Sequence, residues 1–182
     1  KLLKEPDLLV QHGGKLSLDR RRCWVDVWAF GEAVDRATAA DHAASFDVVQ
    51  RDEACALNLY QGSFLSEDLD APWSAPMRER LRAKFIALVS RQGQRFEAAH
   101  RYGDALSLYQ RGLDADNLAE EFYQGLMRCY ARLDRNAEAL AAYVRLKQLL
   151  SLALGVQPSA STQELYRSLR ESRGSSHPGA FG

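Results

Sequence analysis

The chain has 182 residues, enough for one well-formed core and a small appendage. Lys plus Arg and Asp plus Glu both number 24, so the formal net charge is zero. A domain that binds duplex DNA by itself usually carries a clear cationic excess, because phosphate contacts supply most of its affinity. The balanced charge therefore argues against autonomous DNA binding and leaves room only for a local basic patch.

The three cysteines, Cys23, Cys55 and Cys129, lie far apart, without CxxC spacing and without a histidine within three residues. We therefore expect reduced thiols, some of them in the core, in a cytoplasmic protein without a zinc site or other metal. No run approaches the roughly 20 apolar residues that cross a bilayer, so no membrane association is expected. The N-terminal KLLKEPD has no apolar signal region, and we expect the chain to be a fragment of a longer protein.

Residues 8–18 are the part of the chain with a strand pattern. LLVQ and LSLD flank His12-Gly13-Gly14-Lys15, which predicts a β-hairpin because paired glycines supply the positive φ of a tight turn. CWVDVW at 23–28 is β-branched and aromatic, and its composition could add a third extended segment.

The rest of the chain has helical periodicity. Asp26 is placed to cap a first helix that buries one face, formed by Phe30, Ala33, Val34 and Ala37. A second helix is predicted over about 47–60, followed by a Gly/Ser/Asp/Pro-rich loop at 61–73. Further helices are predicted over about 75–101, 104–114, 118–133, 136–153 and 161–169.

Several helix boundaries carry recognisable capping residues. Asn117 with Glu120, and Ser161 with Glu164, have the spacing of a capping box. Gly155, with Pro158 three residues later, is typical of a helix C-terminus. The Gly/Ser/Pro-rich tail at 171–182 is expected to be disordered.

A 34-residue repeat is the strongest signal. ALSLYQR at 105–111 recurs as ALAAYVR at 139–145, and the same offset relates Phe96 to Tyr130 and Arg101 to Arg135. This helix–turn–helix period resembles the tetratricopeptide repeat, in which the Ala allows close helix crossing and the Tyr fills the gap to the next helix. The alternative is an irregular helical bundle in which the two segments resemble each other by chance.

The two units differ at one position of the repeat. Gly93 matches the glycine of the repeat's first helix, but Met127 replaces it in the second unit. We therefore expect the second pair of helices to pack less closely. A shifted copy, ALNLY at 56–60, indicates an earlier helical pair. The predicted fold class is all-α, with tetratricopeptide-like helical hairpins and a short N-terminal β-hairpin.

An ordered series of short segments carries a family resemblance. It runs through VDVWAF at 25–30, ALNLYQGSFL at 56–65, Trp73 with Arg78 and Leu81, Glu120-Glu121, Leu126-Met127-Arg128, Ala139-Leu140, Tyr143 and LGVQPS at 154–159. Over nearly its whole length the chain resembles the bacterial transcriptional activator domain. That helical-repeat region lies beside a winged helix–turn–helix in antibiotic-regulatory-type activators and in some large ATP-dependent regulators.

The resemblance implies a domain organisation. Residues 1–28 would be the remnant of a winged-helix wing hairpin with its linker, 29–170 the helical-repeat activator domain, and 171–182 the tail. Lys1 and Lys4 would then end the recognition helix, and the rest of the helix–turn–helix is not in this chain. DNA is therefore expected as a partner only through an upstream domain. The candidates for phosphate contact are Lys1, Lys4, His12 and Lys15.

The resemblance to the repeat also predicts a partner groove on the first helices. Transferring the repeat positions gives Ser90, Gln94, Glu97, Glu121, Gln124, Arg128 and Arg132. Such a mixed-charge groove suits a peptide or a partner helix, and the alternative is a solvated surface used only for intramolecular docking. Trp28 and Trp73 are interpreted as core anchors rather than ligand platforms. Arg20-Arg21-Arg22, flanked by Asp19 and Asp26, is interpreted as a solvated face.

Catalysis has no support in the sequence. None of the four histidines has partners at metal or triad spacing, and no GxSxG, HExxH, P-loop or GxGxxG motif occurs. We expect a protein that is not an enzyme and needs no cofactor. The leading hypothesis is an effector domain of a bacterial transcription regulator, acting through its own DNA-binding domain, homodimerisation or RNA polymerase. The alternative is a tetratricopeptide-type peptide-binding adaptor unrelated to transcription.

Overall fold

The computed structural model describes residues 8–40, 46–66 and 72–175, and the chain divides into two compact units, Lys1–Tyr60 and Gln61–Gly182. The described part is almost entirely α-helical, with one small antiparallel sheet. The predicted fold class is therefore confirmed. No helix of this described part is long and apolar enough to cross a membrane.

The first unit begins with the predicted hairpin. Strands β1 (Leu9–His12) and β2 (Lys15–Leu18) pair antiparallel, with His12 opposite Lys15. Gly13 and Gly14 form the turn with φ of +56° and +75°, the left-handed region in which a glycine costs least.

Residues 23–28 do not add a third strand, since a helix already begins at Asp26. The backbone N–H groups of Trp28 and Ala29 donate to the carbonyl of Val25 at 3.1 and 3.0 Å, which starts helical hydrogen bonding there. The Asp26 carboxylate also accepts from the N–H of Val27 at 2.7 Å. Helical hydrogen bonding that starts at Val25 therefore prevails over the β-propensity of these side chains.

Helices α1 (Asp26–Ala40) and α2 (Phe46–Leu59) complete the first unit and pack against each other. The predicted face of α1 is buried, and so are Ala56, Leu57 and Tyr60 at the end of the first unit. Val48 and Val49 are apolar residues of α2 whose side chains lie outside the described part. Phe30 and Tyr60 have ring centroids 5.5 Å apart, and Arg36 pairs with Asp52 at 3.1 Å. The first unit thus has its own small aromatic core.

The second unit contains the repeats. A 3₁₀ turn at Pro72–Ser74 leads into α3 (Ala75–Ala98), α4 (Tyr102–Ala115), α5 (Glu120–Arg132), α6 (Asn136–Leu154) and α7 (Ala160–Ser175). Each helix packs against the next, and α3 also contacts α5. The pairs α3–α4 and α5–α6 are the two units of the 34-residue repeat.

The turns within the two pairs have the same construction. Arg101 lies over the ring of Phe96, and Arg135 lies over the ring of Tyr130, each at 4.7 Å. Each arginine also donates its backbone N–H to the carbonyl of that aromatic residue at 2.8 Å. The α3–α4 turn consists of residues 99–101, so α3 ends at Ala98, three residues earlier than expected.

Tyr109 joins the two pairs. Its side chain is 1% exposed and lies between the backbones of Gly93 in α3 and Gly125 in α5, where an added Cβ would overlap the ring. Met127, at the repeat position of Gly93, is fully buried. Gly125, two residues before that position, instead contacts Tyr109 of the first pair, so this close contact lies between the two pairs.

Two capping predictions are wrong. The N-cap residue of α5 is Ala119, which makes no side-chain cap, and Glu120 instead accepts the backbone N–H of Ser159 at 2.8 Å. At α7 the capping oxygen belongs to Ser159, which accepts from the N–H of Thr162 at 3.4 Å, rather than to Ser161. The tertiary contact of Glu120 with Ser159 thus takes the place of the local cap of α5, whereas the local cap of α7 lies two residues earlier than predicted.

The end of the chain is more ordered than expected. Residues 171–175, which we expected in a disordered tail, continue α7, and residues 176–182 lie outside the described part. Gly155 does end α6, in the left-handed conformation with φ of +68°.

Trp73 is not a core anchor, since it is 72% exposed on its 3₁₀ turn. Trp28 is half-buried beneath the guanidinium of Arg20, 4.7 Å from the ring centroid. The three cysteines are free thiols, and Cys129 is buried, as expected.

Gly125→Ala is expected to destabilise the protein by about 2–3 kcal/mol, because the new Cβ would meet the packed Tyr109 ring. The matched control is Gly103→Ala in α4, where a Cβ meets nothing within 4 Å, and its effect should stay within about 0.5 kcal/mol. Urea unfolding followed by circular dichroism measures both. Equal stability of the two variants would contradict the close approach of Tyr109 to α5.

Candidate protein-interaction groove

The seven residues predicted for a partner groove lie on α3 and α5, the first helices of the two pairs. We call the surface that they define the first-helix groove. Its α3 side carries Ser90, Gln94 and Glu97, and its α5 side carries Glu121, Gln124, Arg128 and Arg132. The structure brings some of these side chains together and leaves others apart.

Glu97 and Arg128 form a two-pronged ion pair across the groove. Arg128 donates from Nε to Oε2 of Glu97 at 2.9 Å and from Nη2 to Oε1 at 2.8 Å. The Tyr109 hydroxyl donates to the same Oε1 at 2.7 Å. One carboxylate therefore connects α3, α4 and α5, and the paired geometry is the strong form of an arginine–carboxylate contact.

The network shifts the pKa values of its members. Burial alone would raise the pKa of Glu97, but the hydrogen bonds from Arg128 and Tyr109 outweigh it and hold that pKa below its ordinary value. The pKa of Tyr109 is raised, by burial and by the neighbouring Glu97. Burial, with Glu97 nearby, raises the pKa of the Cys129 thiol to about 12. Neither Tyr109 nor Cys129 is thus an activated nucleophile at neutral pH.

Helix α7 covers part of the α5 side. Gln124 donates from Nε2 to the Thr162 hydroxyl at 2.7 Å and to the Ser161 hydroxyl at 3.3 Å. Thr162 is fully buried, and Tyr166 stacks on Tyr143 of α6 with centroids 4.0 Å apart. The chain therefore places its own helix on the second pair, and Gln124 serves intramolecular packing.

Ser90, Gln94 and Glu121 do not join the ion pair. The Ser90 hydroxyl is buried without a hydrogen-bond partner among the described residues, whereas Gln94 and Glu121 are exposed. Glu121 lies near Arg82, which pairs with Asp116 at 2.7 Å. The predicted groove is thus held by one ion pair, with exposed polar residues on its surface.

A cavity of about 810 Å³ is lined by residues of α3, α5 and α7, and Glu97, Arg128 and Arg132 are among them. Two further parts of its lining were not predicted, the Leu165 and Leu169 pair of α7 and the His100–Tyr102 pair, whose Nδ1 and hydroxyl oxygen are 2.9 Å apart. The i, i+4 spacing of the two leucines was visible in the sequence, but the predicted helix was too short to suggest a separate role.

The candidates for DNA contact are only partly described. Lys1 and Lys4 lie outside the described residues, and the backbone places His12 and Lys15 on either side of the hairpin turn. Within the arginine run, Arg20 approaches Glu32 at 3.9 Å and Arg22 approaches Asp19 at 3.9 Å. Those two arginines therefore already lie near acidic side chains of the first unit.

The described part of the chain contains no group of three or more His, Cys, Asp or Glu residues that could hold a metal ion. Its clustered polar residues are instead hydrogen-bonded to one another in the Glu97 network and beneath α7. These hydrogen bonds hold the polar side chains of this surface in fixed positions.

Comparison with known proteins agrees with this picture. The family model described as the bacterial transcriptional activator domain matches residues 25–170. A solved structure, "Mycobacterium tuberculosis EmbR in complex with low affinity phosphopeptide", is similar with a TM-score of 0.64 and 20% identity. The match covers 95% of this chain but only 45% of that one, so the chain spans less than half of that protein. No curated protein sequence matches.

Glu97→Gln is expected to cost about 1–3 kcal/mol at neutral pH, because hydrogen bonds to a charged group are replaced by weaker ones. Since the folded pKa of Glu97 is lowered, its stabilisation is complete above its ordinary value of 4.5 and is lost as the pH falls through the folded pKa. The stability gap between the wild type and the variant should therefore narrow below about pH 4.5.

Urea unfolding across pH 3–7 measures this gap. Glu164→Gln, on the exposed face of α7, is the control and should leave stability within about 0.5 kcal/mol at every pH. A gap for Glu97→Gln that stays constant over the whole range would show that its charge does not stabilise the fold.

Proposed function

Because this chain belongs to the bacterial transcriptional activator domain family, we propose that it is the protein-interaction domain of a bacterial transcription regulator. It does not catalyse a reaction; it acts in the cytoplasm by docking to its own DNA-binding domain, by dimerising, or by contacting RNA polymerase. The observation that carries this proposal is the first-helix groove, whose two helices are held together by the Glu97–Arg128 ion pair. The groove offers a partner a surface that needs little reordering on binding.

The free groups of the groove indicate what a partner would contact. Arg132 is exposed and has no hydrogen bond or ion pair among the described residues, and Gln94 is exposed on the facing helix. Arg128, in contrast, is committed to Glu97. We therefore assign partner binding to Arg132 and Gln94 and assign Glu97 and Arg128 to the support of the groove.

DNA reading is proposed only for the longer protein. The hairpin supports a wing-like role, since its glycine turn has the narrow form that lets a wing approach the phosphate backbone. In this proposal Lys15 and His12 contact phosphate at the turn, and Lys1 and Lys4 extend the contact from an upstream recognition helix.

The first test is a titration of fluorescent promoter DNA at several salt concentrations, with this chain and with a version extended upstream. The extended protein should bind specifically, whereas the 182-residue chain should not. In the extended protein Lys15→Ala should reduce the slope of log K against log salt by about 1, and Arg167→Ala on α7 should not. If neither protein binds DNA, the transcription proposal fails and a peptide-binding adaptor takes its place.

Arg132→Glu in the extended protein is expected to lower transcription activation about tenfold while promoter affinity stays within twofold, because it changes the groove and not the DNA contacts. Transcription in vitro with purified RNA polymerase gives the first quantity, and the DNA titration gives the second. Arg167→Glu is the charge-matched control. A parallel loss of activation in both variants, or no loss in either, would remove the groove from the mechanism.

A further inference from the structure

Helix α6 is apolar on two opposite faces. One face is buried against the rest of the unit through Ala139, Ala142, Leu146 and Leu150. The opposite side, which we call the outer face of α6, carries exposed Ala137, Ala141, Val144 and Leu152 at helical spacing, together with the polar Gln148. Val144 is 47% exposed and Leu152 is 86% exposed. Packing within this chain therefore accounts for only one of the two apolar faces.

The other repeat provides an internal comparison. The counterpart of Leu152, Leu118, lies beyond the end of α4. At the other four positions of the outer face, helix α4, which has the same place in its pair, carries Gly103, Ser107, Gln110 and Asp114, each 34 residues earlier. These residues are polar or lack a side chain, and they are exposed. The repeat architecture thus does not require an apolar surface at these positions, and an apolar surface confined to one repeat is typical of an interaction site.

A groove of about 550 Å³ runs beside the outer face, between α4 and α6. Its floor includes Tyr123 and Leu126 of α5, and Ala141 belongs both to the groove and to the outer face. This concavity is large enough to receive one large apolar side chain from a partner that lies along α6.

The charges at the edges of the outer face are basic. Arg145 and Lys147 lie on its two sides, and neither has a hydrogen bond or ion pair among the described residues. Glu138 is already held by Arg135 at 2.9 Å, and Asp114 lies on the α4 wall of the groove. The two unpaired cations on α6 therefore favour acidic groups on whatever covers the apolar strip.

We propose that the outer face of α6 and the adjoining groove bind an amphipathic helix of another protein, with an apolar stripe flanked by Asp or Glu. The strip from Ala137 to Leu152 is about 22 Å long, which matches roughly four helical turns. A second copy of this chain fits poorly. Pairing two outer faces antiparallel about Val144 would bring Arg145 and Lys147 close to their counterparts, and like charges repel.

This surface is independent of the first-helix groove, since it lies on a second helix of the repeat. It does not need the transcription proposal to hold. A regulator with both surfaces can hold one partner in the groove while a helix of a second protein lies on α6.

The test uses the whole 182-residue chain and two synthetic helical peptides of about 18 residues. Both peptides carry Leu and Ala along one stripe; one has Glu on both flanks, and its twin has Lys. Fluorescence anisotropy at low salt should show binding of the Glu peptide at least tenfold tighter than that of the Lys peptide. Hydrogen exchange should show protection of 137–152.

Ala141→Glu should weaken the Glu peptide at least tenfold, while Ser107→Glu, at the same repeat position of α4, should change its affinity less than twofold. Arg145→Glu combined with Lys147→Glu should reverse the preference in favour of the Lys peptide. All four substituted positions are exposed, so circular dichroism should show folded variants.

Other outcomes would overturn the proposal. These are no binding of the Glu peptide, equal binding of both peptides, protection elsewhere on the chain, or equal effects of Ala141→Glu and Ser107→Glu. Analytical ultracentrifugation adds one more: a dimer of the wild type that Ala141→Glu dissociates would show that a second copy covers the outer face.

Discussion

The repeat unit depends on the position of one tyrosine. The Tyr109 ring fills the space between Gly93 and Gly125, which only residues without a side chain leave open. Its hydroxyl must then find a partner in a buried place, and Glu97 supplies it at 2.7 Å. Glu97 in turn needs a cation, and Arg128 supplies two hydrogen bonds. Steric fit and hydrogen bonding thus hold three helices together through one side chain from each helix.

The hydrogen-bond network of Tyr109, Glu97 and Arg128 explains why the first-helix groove has a fixed shape. An ion pair at the surface contributes little, but Glu97 is mostly covered and has a hydrogen bond from a neighbouring helix as well. Helix α7 fixes the other side through hydrogen bonds to Gln124 and Glu120. The groove residues Gln94, Glu121 and Arg132 remain exposed, and the proposed partner binding depends on residues of this kind.

The two repeats share a backbone and differ in surface chemistry. Arg101 and Arg135 build the same turn, and Ala105 and Ala139 are both fully buried. The outer faces diverge, because solvent-exposed positions are free of the packing requirement that keeps the buried ones alike. In such an architecture the shared residues specify the fold, and the exposed differences between repeats indicate where partners bind.

The sequence by itself determined the features that depend on neighbours along the chain: the hairpin turn at Gly13-Gly14, the helical periods, the end of α6 at Gly155 and the 34-residue repeat. Backbone sterics and hydrophobic spacing act within a few residues, so these signals are readable. Tertiary structure alone decided that Tyr109 meets Gly125, that Glu120 turns to Ser159, and that Trp73 stays exposed. Those outcomes depend on which helix faces pack together, and that packing is between residues that are tens of positions apart in the sequence.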